Sequence, residues 1–394
     1  MDNVEKLNIL VVHNYYQQSG GEDLVFENEL ELLKKHGNNV ITYTRNNNEI
    51  SNSLLRKILF PLIVIFNFKT YFDIKKIIIK YNIDIIHVHN TMFFVSQSIY
   101  YAAKLLKIPI VQSIHNFRFV CPNALLYRNK TVCEQCISNG VFQSVRNKCY
   151  KNSFLITLIM ALNIKIHKIT RIHNYVNFIC NTNFTSSKIL SDKTILKNKV
   201  YIKNNFTITD YSVNVLNERE NSFVFAARLD ENKGIDFLLK SWKVFNNLHY
   251  KLYICGAGNL QSWCENFIID NNITNVEMLG YINHEDMLKL FSKCLALIYP
   301  SKWYEVMPIG IIDAFSVGTP VIGPDFGNME EMIKSNFNGF KYNYEDTNSF
   351  INALNNIINF DFEYNNIRQY YLDNYSDNNN YNNLIKIYRS IINS

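Results

Sequence analysis

Residues 223–255 read FVFAARLDENKGIDFLLKSWKVFNNLHYKLYIC, and this stretch decides the fold. The apolar run Phe223–Ala227 predicts a buried strand. A polar loop, RLDENKG, leads into a helical pattern over Ile235–Phe245, and a second apolar strand follows at Lys251–Cys255. Two strands joined through a helix run parallel, because a parallel pair needs a long crossover.

The same plan extends in both directions. Upstream, strands are expected at Asn8–His13, Val40–Thr44, Ile83–His89, Ile108–Ile114 and Phe178–Asn181. A second series runs through Val200–Lys203, the two strands above, Val276–Leu279, Ala296–Tyr299 and Pro320–Ile322. Helices are expected at Glu22–His36, Asn259–Ile269, His284–Lys293 and Pro308–Val317. Strand–helix alternation along the whole chain predicts an α/β protein with two parallel sheets. Residues 204–221 are polar and lack helical periodicity, so they are expected to link a domain over 1–203 to one over 222–376. The amphipathic stretch 377–394 is expected to be a helix that crosses back to the N-terminal domain.

The bulk numbers agree with that plan. A chain of 394 residues exceeds one ordinary core. It is 47% hydrophobic and 19% charged, which excludes a disordered protein. A net charge of +6 permits anionic partners without selecting among them. The opening MDNVEKLNILVVHN is acidic and runs straight into a strand, unlike a signal peptide. The longest apolar run, residues 58–68, is about half of the ~20 residues a membrane-spanning helix needs. Eight cysteines without a secretory signal are expected to be reduced thiols of a cytoplasmic protein.

In parallel sheets ligands sit beyond the carboxyl ends of the strands. Arg228 ends one strand, and Lys233 precedes the helix at 235. Two cations and a helix N-terminus suit a diphosphate. The stretch PSKWYEVMPIGIIDAFSVGTPVIGP, 300–324, adds a second helix start. Pro308 suits the first turn. Glu305, in the loop before it, can accept from a polyhydroxylated ligand, and Asp313 from vicinal hydroxyls such as those of ribose.

With these residues in view, the chain resembles glycosyltransferase family 4 (glycosyl transferases group 1), the retaining enzymes of GT-B fold. The matching stretches are HNYYQQSGGEDLVFENELELLKKHGNNV (13–40), SIHNFRFVCPNALLYRNKTVCEQC (113–136), FAARLDENKGIDFLLKSW (225–242), LYICGAG (252–258), VEMLGYI (276–282) and the stretch from Pro300. The resemblance implies two Rossmann-like domains with parallel sheets facing across a cleft, the first on the acceptor side and the second binding the donor nucleotide. It implies transfer of a hexosyl group from a nucleotide-diphosphate sugar to a glycan acceptor, lipid-linked, in bacterial surface polysaccharide assembly (O-antigen, capsule or exopolysaccharide).

Roles carry over residue by residue. Arg228 and Lys233 are expected on the donor diphosphate, with the backbone of Met307, Pro308 and Ile309 and of Gly20 and Gly21. Glu305 matches the first acid of the family's E-x7-E motif and is expected at the donor sugar. The second acid is Asp313, one methylene shorter than the family's glutamate, and is expected at the ribose. His115 matches the family histidine near the reaction centre, so it and Glu305 are the expected catalytic pair. His87, His89 and Asn116 are expected to line the acceptor side. His87 and His89 alternate on one strand and so share a face; with no third ligand in view, they are read as cleft-lining rather than metal-binding.

No Asp-x-Asp is present. The expectation is therefore a metal-independent reaction, in which Arg228, Lys233 and helix dipoles carry the leaving charge. No nucleophile stands out for the sugar's far face, which favours front-side displacement. Cys121, Cys133, Cys136 and Cys149, inside the insertion 121–149, have spacing that suits a structural zinc site. Cys180, Cys255, Cys264 and Cys294 are expected in the core. Residues 54–80 carry six basic residues against one acid among large apolar side chains, and FLITLIMALNIKIHKITRIH (154–173) is a weaker version. Both are expected to make peripheral contact with the cytoplasmic face of the inner membrane. Nucleic acid is not an expected partner. The rival readings are another GT-B enzyme, such as a sugar-nucleotide epimerase, and a non-catalytic glycan- or nucleotide-binding subunit. A dinucleotide oxidoreductase is disfavoured, because CGAGNLQ lacks the third glycine of the fingerprint.

Overall fold

The structure, a computed structural model, describes residues 6–17, 20–50, 54–208 and 215–394; within the helix that opens at Leu54, side chains are described from residue 58 onward. Part of the expected linker, 209–214, lies outside the described residues. Contacts divide the chain into two compact units. The first holds residues up to Leu126, then Cys133–Asn205 and Asn380–Ser394. The second holds Tyr127–Val132 and Phe206–Asn379.

The first unit is built on a six-stranded parallel sheet. Its strands are β1 (Asn8–Tyr15), β2 (Asn39–Asn46), β3 (Ile85–Val88), β4 (Ile110–Ser113), β7 (Asn177–Cys180) and β8 (Val200–Ile202), in the order β2-β1-β3-β4-β7-β8. A two-stranded hairpin, β5 (Tyr127–Arg128) and β6 (Thr131–Val132), interrupts the series and is counted with the second unit. The inner strands β3, β4 and β7 are buried along their whole length, as expected where helices cover both faces of a parallel sheet. Val200–Lys203, expected in series with the downstream strands, forms β8, which pairs with β7 at the edge of the first sheet and so falls inside the expected domain 1–203.

The second unit repeats the plan. Its strands are β9 (Glu220–Ala226), β10 (Lys251–Cys255), β11 (Val276–Gly280), β12 (Cys294–Ile298), β13 (Val321–Pro324) and β14 (Gly339–Tyr342), in the order β11-β10-β9-β12-β13-β14. All pairs in both six-stranded sheets are parallel. The helices Ile235–Phe245 and His284–Lys293 fall where the sequence puts them. Phe223, Phe225, Leu238, Trp242, Phe291 and Phe315 meet in one core. Strand β14 has no counterpart in the sequence reading: GFKY is short, and it follows an Asn-rich turn rather than an apolar run.

The basic apolar segment 54–80 is two helices, Leu54–Ile65 and Phe68–Tyr81. Asn67 caps the second, its side chain accepting from the Thr70 N–H. The first packs on the helix Phe154–Ile169. No described helix is long and apolar enough to cross a membrane.

Candidate active site

The two units carry separate halves of the expected site, and each is described by itself. In the second unit, strand β9 ends just before Arg228, and the chain turns through Glu231–Lys233 into the helix Ile235–Phe245. Gly234 makes that turn possible. Its φ is +75°, and a Cβ there would meet the Pro300 carbonyl oxygen at 1.9 Å. The close approach sets Lys233 beside the loop that follows β12.

There the structure brings two predicted residues together. Lys233 Nζ donates to Glu305 Oε1 at 2.6 Å and lies 3.4 Å from the Tyr299 hydroxyl. Ser301 Oγ, at 2.8 Å, and Trp303 Nε1, at 2.6 Å, donate to the same carboxylate oxygen. No role for Trp303 is legible in the sequence; here it orients Glu305, and its ring stacks near the Lys233 ammonium, 5.2 Å away. Burial would raise the Glu305 pKa, but Lys233 and these donors hold it below the usual carboxylate value. Burial would lower that of Lys233, and Glu305 with Tyr299 raises it instead. Both groups are therefore charged. Asn328 donates to the backbone carbonyls of Glu305 and Val306 and fixes the loop. Lys302 ties the loop to Asp236 at 2.8 Å.

Pro308 is the N-cap of the helix Ile309–Ser316, in extended conformation, and Met307 is buried before it. The first N–H groups of a helix lack intrahelical acceptors, so the backbone from Ile309 onward suits an anion. Asp313 is buried within this helix, and its Oδ1 lies 3.2 Å from Nε2 of the half-exposed His284. That contact raises the imidazole's pKa. Arg228 stays apart from the cluster: its side chain is exposed and pairs with Asp230 at 3.4 Å.

In the first unit, Gly20 caps the helix Gly21–Lys35, and a Cβ on Gly20 or Gly21 would meet nothing within 4 Å. Packing does not require glycine at either position. The Gly20 N–H donates to Asp23 Oδ2 at 3.1 Å, and His13 Nε2 lies 2.7 Å from Asp23 Oδ1.

His87 and His89 meet at a residue the sequence reading passes over, Glu29, and His115 stacks on His89. Glu29 lies 2.9 Å from His87 Nδ1 and 3.3 Å from His89 Nε2, and Lys203 Nζ reaches it at 2.9 Å. The view that His87 and His89 lack a third ligand-type partner is thus corrected. Among the described residues, Glu29, His87 and His89 form the one group of three donors within 4.8 Å of one another. Lys203 already supplies the positive charge a metal would bring to Glu29. Burial would raise the Glu29 pKa, yet Lys203 and His87 hold it well below its usual value. His87 also bonds the Ser113 and Tyr388 hydroxyls at 2.8 and 2.6 Å.

His89 Nδ1 and His115 Nε2 are 3.1 Å apart. Assigning the His89 proton to Nε2, facing the carboxylate, leaves Nδ1 to accept from His115 Nε2–H. His115 then presents a bare lone pair at Nδ1. His115 and Asn116 line a small polar pocket with Glu22, His89, Gln112 and Arg118. Burial raises Glu22 to about 7, although Tyr16 and Arg118 oppose the rise.

Cys121 Sγ donates to Asn123 Oδ1 at 2.9 Å; the neighbouring Cys136 thiol lowers Cys121 to about 7, and Cys121, burial and Cys149 push Cys136 up. With Cys133 they do not form a four-thiol shell among the described residues, and none of the four is in a disulfide. Cys180, Cys255, Cys264 and Cys294 are buried.

These shifts set a pH dependence. Burial pushes His89 down to about 3 and His167 to about 4, and holds His115 well below the imidazole range. Unfolded, the three take up protons near pH 6.5; folded, they do not. Stability is therefore fully present above pH 6.5 and is lost as pH falls toward 4. Glu22 acts oppositely between pH 4.5 and 7, and so does His284, whose pKa is raised, but His284 is half-exposed and the two offset only part of three buried groups. Thermal unfolding is expected at a lower temperature at pH 5 than at pH 7, with a smaller difference in His167→Gln. Equal midpoints at the two pH values would contradict it.

Comparison with known proteins bears on the family and the fold. The family model described as Glycosyl transferases group 1 matches residues 208–372, and Glycosyltransferase Family 4 matches 20–147. The chain spans 32% and 40% of the length of two curated relatives from Methanocaldococcus jannaschii. An uncharacterized 42.6 kDa protein in the cps region of Klebsiella pneumoniae is 25% identical over 279 residues, 71% of this chain and 67% of its own. The UDP-Gal:alpha-D-GlcNAc-diphosphoundecaprenol alpha-1,3-galactosyltransferase of Escherichia coli is 31% identical over 153 residues, covering 37% and 39% of the two chains. The lipopolysaccharide outer core galactosyltransferase WaaB shares the fold, with a TM-score of 0.68 at 16% identity over 97% of this chain and 99% of its own. Two family models in chain order fall on two parallel six-stranded sheets: the chain belongs to the group 1, family 4 glycosyltransferases of GT-B fold.

Proposed function

We propose that the protein transfers a hexosyl group, with retention, from a nucleotide-diphosphate sugar to a lipid-linked glycan in bacterial surface polysaccharide assembly. The observation that carries this reading is the 2.6 Å contact of Lys233 with Glu305 beside the start of the helix Ile309–Ser316. A cation and helix N–H groups for a diphosphate stand next to a carboxylate for sugar hydroxyls. Glycine-edged backbone at Gly20 and Gly21 suits a second approach to phosphate, and Asp313 with His284 suits the ribose. Arg228 is free to swing from Asp230 to the diphosphate, since an exposed ion pair is worth only ~0–1 kcal/mol.

The chemistry proceeds on one face of the sugar. The bond from the anomeric carbon to the diphosphate breaks, and the diphosphate leaves with the electron pair. The acceptor hydroxyl oxygen bonds the same carbon, and its proton passes to the departing phosphate oxygen. Lys233 offsets the charge that develops there. His115, with its Nδ1 lone pair outward, accepts a hydrogen bond from a sugar hydroxyl. The chain's own cations do the work that a metal does in other transferases. A zinc on Cys121, Cys133, Cys136 and Cys149 is a separate proposal with no part in transfer; elemental analysis of the purified protein tests it.

A thermal-shift panel of UDP-, GDP- and ADP-sugars tests the donor assignment. A donor at a hundredfold excess over its Kd stabilises by about 2.7 kcal/mol, roughly 5–10 °C for a unit of this size. The true donor should stand out. No shift with any nucleotide sugar would count against the reading.

A further inference from the structure

The first unit holds a second cavity that the donor chemistry does not use. It has a volume of about 440 Å³, a usual size for a ligand pocket. Phe60, Pro61, Phe93, Leu155, Ile156 and Ile159 supply apolar walls, from the packed helices Leu54–Ile65 and Phe154–Ile169 and the segment after β3. Beneath them lie Val64, Met92 and Met160. The same two helices expose Ile58, Leu62 and Phe154.

This cavity adjoins the polar pocket at His115. Tyr16 and Tyr150 line the apolar cavity, and Tyr16 Oη donates at 2.9 Å to Glu22, which lines the polar one. Arg118 stands at the same boundary. It lines the polar pocket, and its guanidinium carbon is 6.0 Å from the centre of the Tyr150 ring. Its Nε and Nη1 are buried, and among the described residues no acceptor reaches them. The guanidinium also meets the Tyr16 hydroxyl, and its remaining buried donors, with their full charge, suit a phosphate. Glu22 can meet that phosphate protonated, since burial has raised its pKa to about 7.

The sequence across the boundary is hydrocarbon wall, buried cation, polar pocket. We propose that the cavity holds the hydrocarbon chain of a phosphate-linked acceptor lipid, with Arg118 on the phosphate. The inference rests on the reading above that the acceptor is lipid-linked, and it adds where the lipid sits. An acceptor held at three points in line places its glycan, rather than its chain, at His115.

Titration calorimetry without nucleotide sugar tests it, with dodecyl phosphate and dodecyl maltoside, each below its micelle-forming concentration. Dodecyl phosphate is expected to bind the full chain at least tenfold more tightly than dodecyl maltoside. Leu155→Glu and Ile156→Trp should weaken both at least tenfold. Leu155 is 64% exposed, so its replacement tests the cavity without threatening the fold; circular dichroism checks both variants. Arg118→Gln should remove the preference for phosphate and leave maltoside binding unchanged. The proposal is overturned if neither amphiphile binds, if both cavity variants bind normally, or if the preference survives Arg118→Gln. No donor is present and no transfer is measured, so a negative result here is separate from a negative donor panel.

Discussion

Lys233→Ala is expected to lower kcat/KM for sugar transfer by about three orders of magnitude, ~4 kcal/mol of transition-state stabilisation. The ammonium sits 2.6 Å from Glu305 and beside a helix start, so its loss removes the charge nearest the proposed leaving group. It also leaves a buried carboxylate without its cation, and the Glu305 pKa should climb. Glu305→Gln separates the two effects. It keeps Lys233 and should retain the thermal shift given by the nucleoside diphosphate alone, while transfer falls by a similar factor. Lys233→Arg should recover little, because a planar fork does not replace a point charge packed between Tyr299 and Trp303. Loss of less than tenfold in Lys233→Ala would show that the diphosphate is gripped elsewhere.

The second large effect is on folding. Glu29→Gln should destabilise the first unit by about 3–5 kcal/mol, because it strands the Lys203 ammonium in the interior. Lys203 is buried, with Glu29 at 2.9 Å and Asn380 at 3.1 Å as its partners. The double variant Glu29→Gln, Lys203→Met should regain much of the loss, since a buried pair replaced as a pair is far less costly than one broken. Thermal or denaturant unfolding of the three proteins measures this. A single-variant cost under 1 kcal/mol would mean that the pair does not anchor the unit.

Much of the fold is legible in the sequence, because parallel strands are buried on both faces and read as apolar runs. Lys251–Cys255, Ile235–Phe245 and His284–Lys293 are where those runs and periods put them. The GFKY of β14 has too little apolar length to announce itself, and β8 follows polar residues that give no hint of its neighbour. The meeting of Lys233 with Glu305 is legible because the motif residues cluster in the loops after β9 and β12. The first unit's half of the site is less so. Glu29 lies one turn from Phe26 and Leu33 on the buried face of its helix; a carboxylate in an apolar stripe is the signal that could have found it. Arg118 and Glu22 look like ordinary loop and helix-start residues until Tyr16 and Tyr150 are folded against them. Lys203 and Tyr388 reach Glu29 and His87 from 174 and 301 residues away, a separation no local pattern encodes.

That last separation bears on biosynthesis. Tyr388 and Asn380 complete the interior around His87 and Lys203, yet both belong to the segment 380–394. A nascent chain leaves the ribosome N-terminus first, so residues 206–379 emerge before the first sheet's ionic interior has its final partners. The C-terminal half can become compact while the N-terminal half waits, half-finished and exposed to chaperones. A stalled or truncated translation product would then contain one folded body and one that never closes.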